Sequence, residues 1–274
     1  MQRGRVAEPD LSPIAKLVQK ADPDLFLAAL FIAEPLRERM MTLIAFDVEL
    51  AKASRKSADP IINALRLQWW RDVVTEAADG APPREHEVAG PLAELIRSAS
   101  LVIEQFEPLF AGYEREAAAP FNDEDFDKWA DERFGGFLLL AAALSGSAAH
   151  IAVSAMARAM ALSFALRHAR AMAGEGLYLL PLPGLDRSAL ARGETTDGMR
   201  EMISDRAAAC LNTLRAVRKS GVPSGLKPVL RLGWRASPTL RKAMRPGLDL
   251  ERDFLSPPGF AAARLLSLSL TGRW

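Results

Sequence analysis

Between residues 147 and 166 the chain runs alanine-rich and nearly free of charge, and a helix of that composition has no polar face to offer water. It must sit in the middle of a bundle, with neighbours covering most of its sides. β-Branched residues are sparse, tyrosine occurs twice, and no alternating run of useful length appears, so strand signals are lacking. With 274 residues, 49% of them hydrophobic, the chain can bury one substantial core. The expectation is a single all-α domain over residues 25–274. Residues 1–24, with Pro9, Pro13 and Pro23, are expected to be a polar lead.

Helix boundaries follow from local chemistry. Asp59-Pro60 couples an N-cap to a proline at the first helical position, and Ile61, Leu65, Trp69 and Val73 then recur every four residues before Gly80 ends the helix. That stripe is expected to face the core. After a loop over 80–90, Leu92, Leu95, Ile96, Leu101, Ile103 and Phe106 resume helical spacing. Asn122 caps a helix with an acidic first turn. Pro181, Pro183 and Gly184 break the chain, and helices are expected again over 199–217, 223–232, 238–244 and 260–270.

Lys and Arg number 35 against 34 Asp and Glu, a net charge of +1, which gives no bulk attraction for nucleic acid or an anionic membrane. Cys210 is the single cysteine; it can form neither an intrachain disulfide nor a thiolate metal cage, which fits a reducing compartment. No apolar leader occurs, and no uncharged run approaches the roughly 20 residues that span a bilayer. A cytoplasmic protein is expected, with at most peripheral contact on the inner membrane face. His86, His150 and His168 are scattered without metal-binding spacing. Asp123, Asp127 and Asp131 stand one turn apart, but just after an N-cap such acids complement the helix dipole and solvate an outer face.

Several segments carry a resemblance in their order. Glu34-Pro35-Leu36-Arg37 precedes Ala45-Phe46-Asp47-Val48-Glu49-Leu50-Ala51-Lys52, and Leu65-Arg66-Leu67-Gln68-Trp69-Trp70-Arg71-Asp72 follows. Further on come Trp129-Ala130-Asp131-Glu132-Arg133-Phe134-Gly135-Gly136, then Leu166-Arg167-His168, and finally Gly174 through Pro181. This succession resembles the squalene/phytoene synthase family. The resemblance implies an isoprenoid-synthase fold: antiparallel helices around a deep apolar cavity, with two magnesium-binding aspartate motifs facing each other across its mouth. In the family's enzymes the magnesium stabilises a departing diphosphate.

Those acids are missing here. Through the resemblance, the first motif becomes Ala51, Lys52 and Arg55, and the second becomes Phe164, Arg167, His168 and Met172, with the arginine alone retained. A lysine about 5 Å from a divalent ion costs on the order of 6 kcal/mol at an effective dielectric near 20. Asp47 and Glu49 cannot replace the first pair, since two positions apart on a helix they point in different directions. Asp47 is expected to be an exposed acid. The register of 176–181 stays open between an ungapped alignment and one that lets Tyr178 fill the family's tyrosine position.

The resemblance is greatest to the family's branch of respiratory complex I assembly factors, which keep the bundle and lose the aspartates. It implies a non-catalytic protein with no catalytic residue, metal or cofactor, a protein partner in respiratory complex assembly, and an isoprenoid or lipid-like ligand. Phe46, Trp69 and Phe164 are expected to line the cavity, and Arg37, Arg66, Arg71 and Arg167 to make anion contacts. The alternative is an active magnesium-dependent prenyl transferase whose metal ligands come from Asp47, Glu49, Asp123 and Asp127. A third reading is a lipid-binding module that touches a membrane through the helix over 260–270, although packing as the last bundle helix accounts for that segment as well.

Overall fold

The computed structural model describes residues 11–117, 119, 121–147, 150–181, 185–254 and 260–274; Pro9, Pro183 and Gly184 lie outside them. The helices are α1 (Pro13–Ala21), α2 (Pro23–Ala29), α3 (Leu36–Arg55), α4 (Pro60–Ala78), α5 (Ala89–Ser98), α6 (Glu107–Glu116) and α7 (Asp123–Trp129). They continue with α8 (Gly136–Leu144), α9 (His150–Gly174), α10 (Arg187–Ala191), α11 (Asp197–Ser220), α12 (Lys227–Leu230), α13 (Ala236–Ala243) and α14 (Ala261–Leu270). A π-helical segment, Ala130–Gly135, joins α7 to α8 without a break. Among the described residues there is no strand, and no helix is long and apolar enough to cross a membrane.

Side-chain caps start the helices where the sequence places them. Asp59 accepts from the Ile61 amide at 2.9 Å and Asn122 from the Asp125 amide at 2.8 Å. The same cap-then-proline signature occurs at Ser12-Pro13 and Asp22-Pro23, and each opens a helix. The segment expected to be a polar lead therefore contains α1, whose Ile14, Ala15 and Val18 are buried and which packs against α3.

Two helices organise the interior. In α3, Met40 through Val48 are all buried, because α1, α2, α4, α5, α6 and α8 surround it. The alanine-rich α9 is covered by the π segment, α10, α11, α13 and α8. α3 and α9 flank a central cavity rather than packing along one another.

The apolar stripe of α4 is corrected. Ile61 is 70% and Leu65 64% exposed, while Leu67, Trp70, Val73, Val74 and Ala77 face the core. A strict four-residue repeat drifts about 40° per step on a helix of 3.6 residues per turn. Ile61 and Val73 thus point about 120° apart, and the stripe winds off the buried face.

One close approach fixes the geometry of the site below. A Cβ on Gly112 of α6 would stand 2.4 Å from the Arg133 Cα, and one on Gly136 would stand 2.8 Å from the Leu109 nitrogen. The two backbones touch because both positions lack side chains. Helix propensity alone would make Gly112→Ala stabilising by about 1 kcal/mol, but the backbone clash should reverse the sign and cost about 1–3 kcal/mol net. Urea denaturation checks this; an unchanged or raised midpoint would show that α6 and the π segment can separate freely.

Candidate functional site

The π segment places Arg133 inside the bundle, and such insertions commonly mark functional positions. Its Nη1 donates to Asp47 Oδ1 at 2.8 Å and its Nη2 to Oδ2 at 3.3 Å. The Tyr113 hydroxyl donates to the Asp47 backbone carbonyl at 2.7 Å and lies 3.0 Å from Oδ1. The Arg133 guanidinium sits 3.8 Å from the Tyr113 ring centroid. Burial raises the Tyr113 pKa well above its ordinary value. Burial opposes the Arg133 charge, but Asp47, Tyr113 and Glu116 outweigh it and hold the pKa above the usual arginine value. Asp47 is therefore not the exposed acid expected: α3 is enclosed at that point, and an acid there needs an internal cation.

The central cavity has a volume of about 470 Å³. Phe134, Phe137, Met160, Phe164, Trp234 and Phe254 form its apolar wall. Three carboxylates, Asp22, Asp24 and Asp47, and three guanidiniums, Arg133, Arg167 and Arg235, also line it. Asp24 is ion-paired with Arg235 and lies 3.6 Å from Arg167, and its backbone carbonyl accepts from Trp234 Nε1 at 3.2 Å. Asp22 caps α2 through the Leu25 amide at 2.9 Å; burial nevertheless raises its pKa.

His168 stacks on Phe164 with ring centroids 4.5 Å apart. Burial, with Arg167, Arg55 and Arg235 nearby, pushes its pKa from 6.5 down to about 4, so the imidazole is neutral at pH 7. Ser163 Oγ, Arg167 Nε and Arg235 Nε are buried without a hydrogen-bond partner among the described residues. The cavity thus combines matched charges with spare donors.

The two altered motifs meet. Arg55 Nη1 lies 3.5 Å from the Met172 sulfur and 3.5 Å from Glu116 Oε1. Glu116 is enclosed; burial raises its pKa, against the pull of Arg133 and Arg55. Lys52 points outward and binds Glu49 at 2.6 Å, and Ala51 is half-buried against the core.

The acids that could substitute for the missing aspartates are engaged elsewhere: Asp123 with Arg206, Asp127 with Arg158 at 2.9 Å, and Asp131 with Arg158 at 2.8 Å. Among the described residues no group of three or more His, Cys, Asp or Glu side chains could hold a metal ion. Magnesium takes carboxylate, phosphate and water oxygens in octahedral geometry. A guanidinium and a thioether at the facing motifs do not fit it.

The remaining predicted residues are spread widely. Arg37 donates to the Ile32 carbonyl at 2.9 Å and pairs with Glu34 at 3.0 Å. Arg71 is held by Glu114 at 2.7 Å and Glu107 at 3.4 Å, and its guanidinium lies 4.7 Å from the Phe110 ring centroid. Neither they nor Arg66 line the cavity. Phe46 is core, edge-on to Trp70, Phe106 and Phe110. Trp69 is half-buried against Trp70, His86 and Arg84. Both were expected in the cavity wall and are absent from it, whereas Phe164, Arg167 and His168 belong to it.

Sequence reasoning missed Asp22, Asp24, Arg133 and Arg235. The Asp22-Pro23 cap could have revealed the first, since Asp59-Pro60 was recognised by the same sign. Arg133 and Arg235 gave none, because their partners lie 86 and 211 residues away.

Two outcomes follow from this geometry. Arg133→Met should destabilise the protein by about 3–5 kcal/mol, since it leaves Asp47 buried and unpaired; thermal and urea unfolding measure it. His168 takes up its proton near pH 6.5 when unfolded but near 4 when folded, so its contribution to stability is lost as pH falls through that window. Wild type should lose stability relative to His168→Gln between pH 7 and 4.5; parallel pH profiles would contradict the neutral buried imidazole.

The sequence profile of squalene/phytoene synthase matches residues 18–249. A Drosophila melanogaster protein, "NADH dehydrogenase (ubiquinone) complex I, assembly factor 6 homolog", is 26% identical over 220 residues, covering 74% of this chain. The match spans 65% of that relative's length. The solved squalene synthase HpnC from Alicyclobacillus acidocaldarius superposes with a TM-score of 0.64 at 17% identity, over 85% of this chain and 94% of its own. A dehydrosqualene synthase solved in complex with ligand gives a TM-score of 0.76 at 12% identity, over 94% of each chain. At such identities the likeness to solved structures is one of fold, the all-α isoprenoid-synthase fold. The profile covers most of the sequence, and the chain belongs to the squalene/phytoene synthase family.

Proposed function

We propose that this chain is a non-catalytic, cytoplasmic member of the family that acts in respiratory complex assembly and holds an uncharged isoprenoid or lipid-like ligand in its central cavity. The observation that carries the proposal is Arg55 between Met172 and Glu116. Diphosphate departure needs positive charge presented by metal ions on paired carboxylates, and a guanidinium already neutralised by a buried acid supplies neither ligand nor ion. The prenyl transferase alternative requires Asp47, Glu49, Asp123 and Asp127 to leave Arg133, Lys52, Arg206 and Arg158, the cations that now hold them.

Charge balance supports the ligand class. Three carboxylates face three guanidiniums in the cavity, so a diphosphate would bring in negative charge with no spare cation to meet it. An uncharged chain with an acceptor oxygen suits Ser163 Oγ, Arg167 Nε and Arg235 Nε, which lack partners. The likeness to the Drosophila assembly factor supports the role in complex assembly.

Incubation with magnesium and farnesyl or geranylgeranyl diphosphate should yield no condensed hydrocarbon, and deletion of the chain from its source cells should lower the amount of assembled NADH dehydrogenase. Formation of a head-to-head product would overturn the non-catalytic reading; undiminished complex would overturn the assembly role.

A further inference from the structure

A second cavity, about 1090 Å³, lies among the end of α11, the start of α12, α13, α14 and the last four residues, and shares no lining residue with the first. Arg218, Lys227, Arg241, Arg264 and Arg273 line it, and among the described residues no acidic side chain does. The ends of α11 and α14 face it, each with about half a negative charge, and the Trp274 main-chain oxygen that accepts from Arg218 adds at most one more, which leaves most of the five cations unmatched. Burial pushes the pKa values of Arg218 and Arg264 down, and Arg241 adds repulsion to both. Arg264 Nε is buried without a partner among the described residues. Arg218 is steadied by the Trp274 carbonyl at 3.1 Å and by the Trp274 ring, whose centroid is 4.7 Å away. A guanidinium cluster of this kind suits phosphate oxygens.

The apolar surface beside it selects the form of that phosphate. Only Leu265 of α14 is buried, while Leu266 is 49%, Leu270 79% and Phe260 89% exposed. Phe260 itself lines the pocket, while Leu266 and Leu270 stand one turn apart on the outer face of α14, about 130° around the helix from the pocket-lining Arg264, Ser267, Leu268 and Thr271. We propose that this pocket seats the phosphate of an anionic membrane lipid, with Phe260 entering the acyl boundary at its rim. A soluble phosphate ester offers the same oxygens but leaves Phe260, 89% exposed, in water. The overall charge of +1 offers no general attraction, so binding must depend on this local patch.

Flotation with phosphatidylcholine vesicles, with and without phosphatidic acid, tests the proposal on the full chain. Arg241 and Arg273 are both exposed, so Arg241→Glu/Arg273→Glu should fold, as circular dichroism can verify. Wild type should float with the acidic vesicles and not with phosphatidylcholine alone. The charge variant should lose binding at least about 10-fold at low salt, and Phe260→Ser should weaken it as well. Equal flotation of the charge variant and wild type would overturn the site. Stabilisation by glycerol phosphate without any vesicle binding would assign the pocket to a soluble ester and overturn the membrane role.

Discussion

The ion pair between Asp47 and Arg133 is the constraint around which the interior is arranged. Each charge is costly to remove from water, and each is buried because its helix is enclosed: Asp47 by the helices around α3, Arg133 by the crossing of α6 over the π segment. Two hydrogen bonds join the members of the pair, and the Tyr113 hydroxyl donates to the Asp47 backbone carbonyl, while Arg133 Nε is buried without a hydrogen-bond partner among the described residues. An apolar pair of equal volume would pack as tightly. The charged pair ties α3 to the π segment across the cavity, whose wall both Asp47 and Arg133 join.

From this pair the network runs outward to the altered motifs. Glu116 lies within the electrostatic reach of Arg133 and Asp47 and pairs with Arg55, which touches Met172. Arg55, Glu116 and Met172 therefore form one connected cluster rather than independent positions. Arg55 stands where the buried Glu116 faces it, and Arg133 and Arg55 offset only part of the cost of burying Glu116, whose pKa stays raised.

Much of the fold was legible because it rests on local rules. Asp59-Pro60 and Asn122 start helices through bonds within three residues of themselves, and the composition around α9 announces a helix with no wet side. The phase of α4 was misjudged, since an exact four-residue repeat looks regular in sequence while winding around a helix of 3.6 residues per turn. The site was legible only in what it lacks. Nothing near Asp47 in sequence distinguishes an exposed acid from one held by an arginine 86 positions away, and Asp24 gives no sign of Arg235. Long-range pairing decided both.

The two cavities divide the chain's charges in opposite ways, and the dielectric explains the division. Inside, where an unmatched ion would cost several kcal/mol, each guanidinium in the wall lies within 4 Å of a carboxylate, Arg133 at Asp47 and both Arg167 and Arg235 at Asp24. At the edge formed by α11, α13 and α14, water and salt screen like charges over about 8–10 Å, so five cations can remain without acids at modest cost. An unmatched cluster can persist only at such an edge, and only there can a charged ligand supply the missing negative charge without first disrupting a buried pair. A net charge of +1 conceals this partition, because it averages a balanced interior with an unbalanced rim.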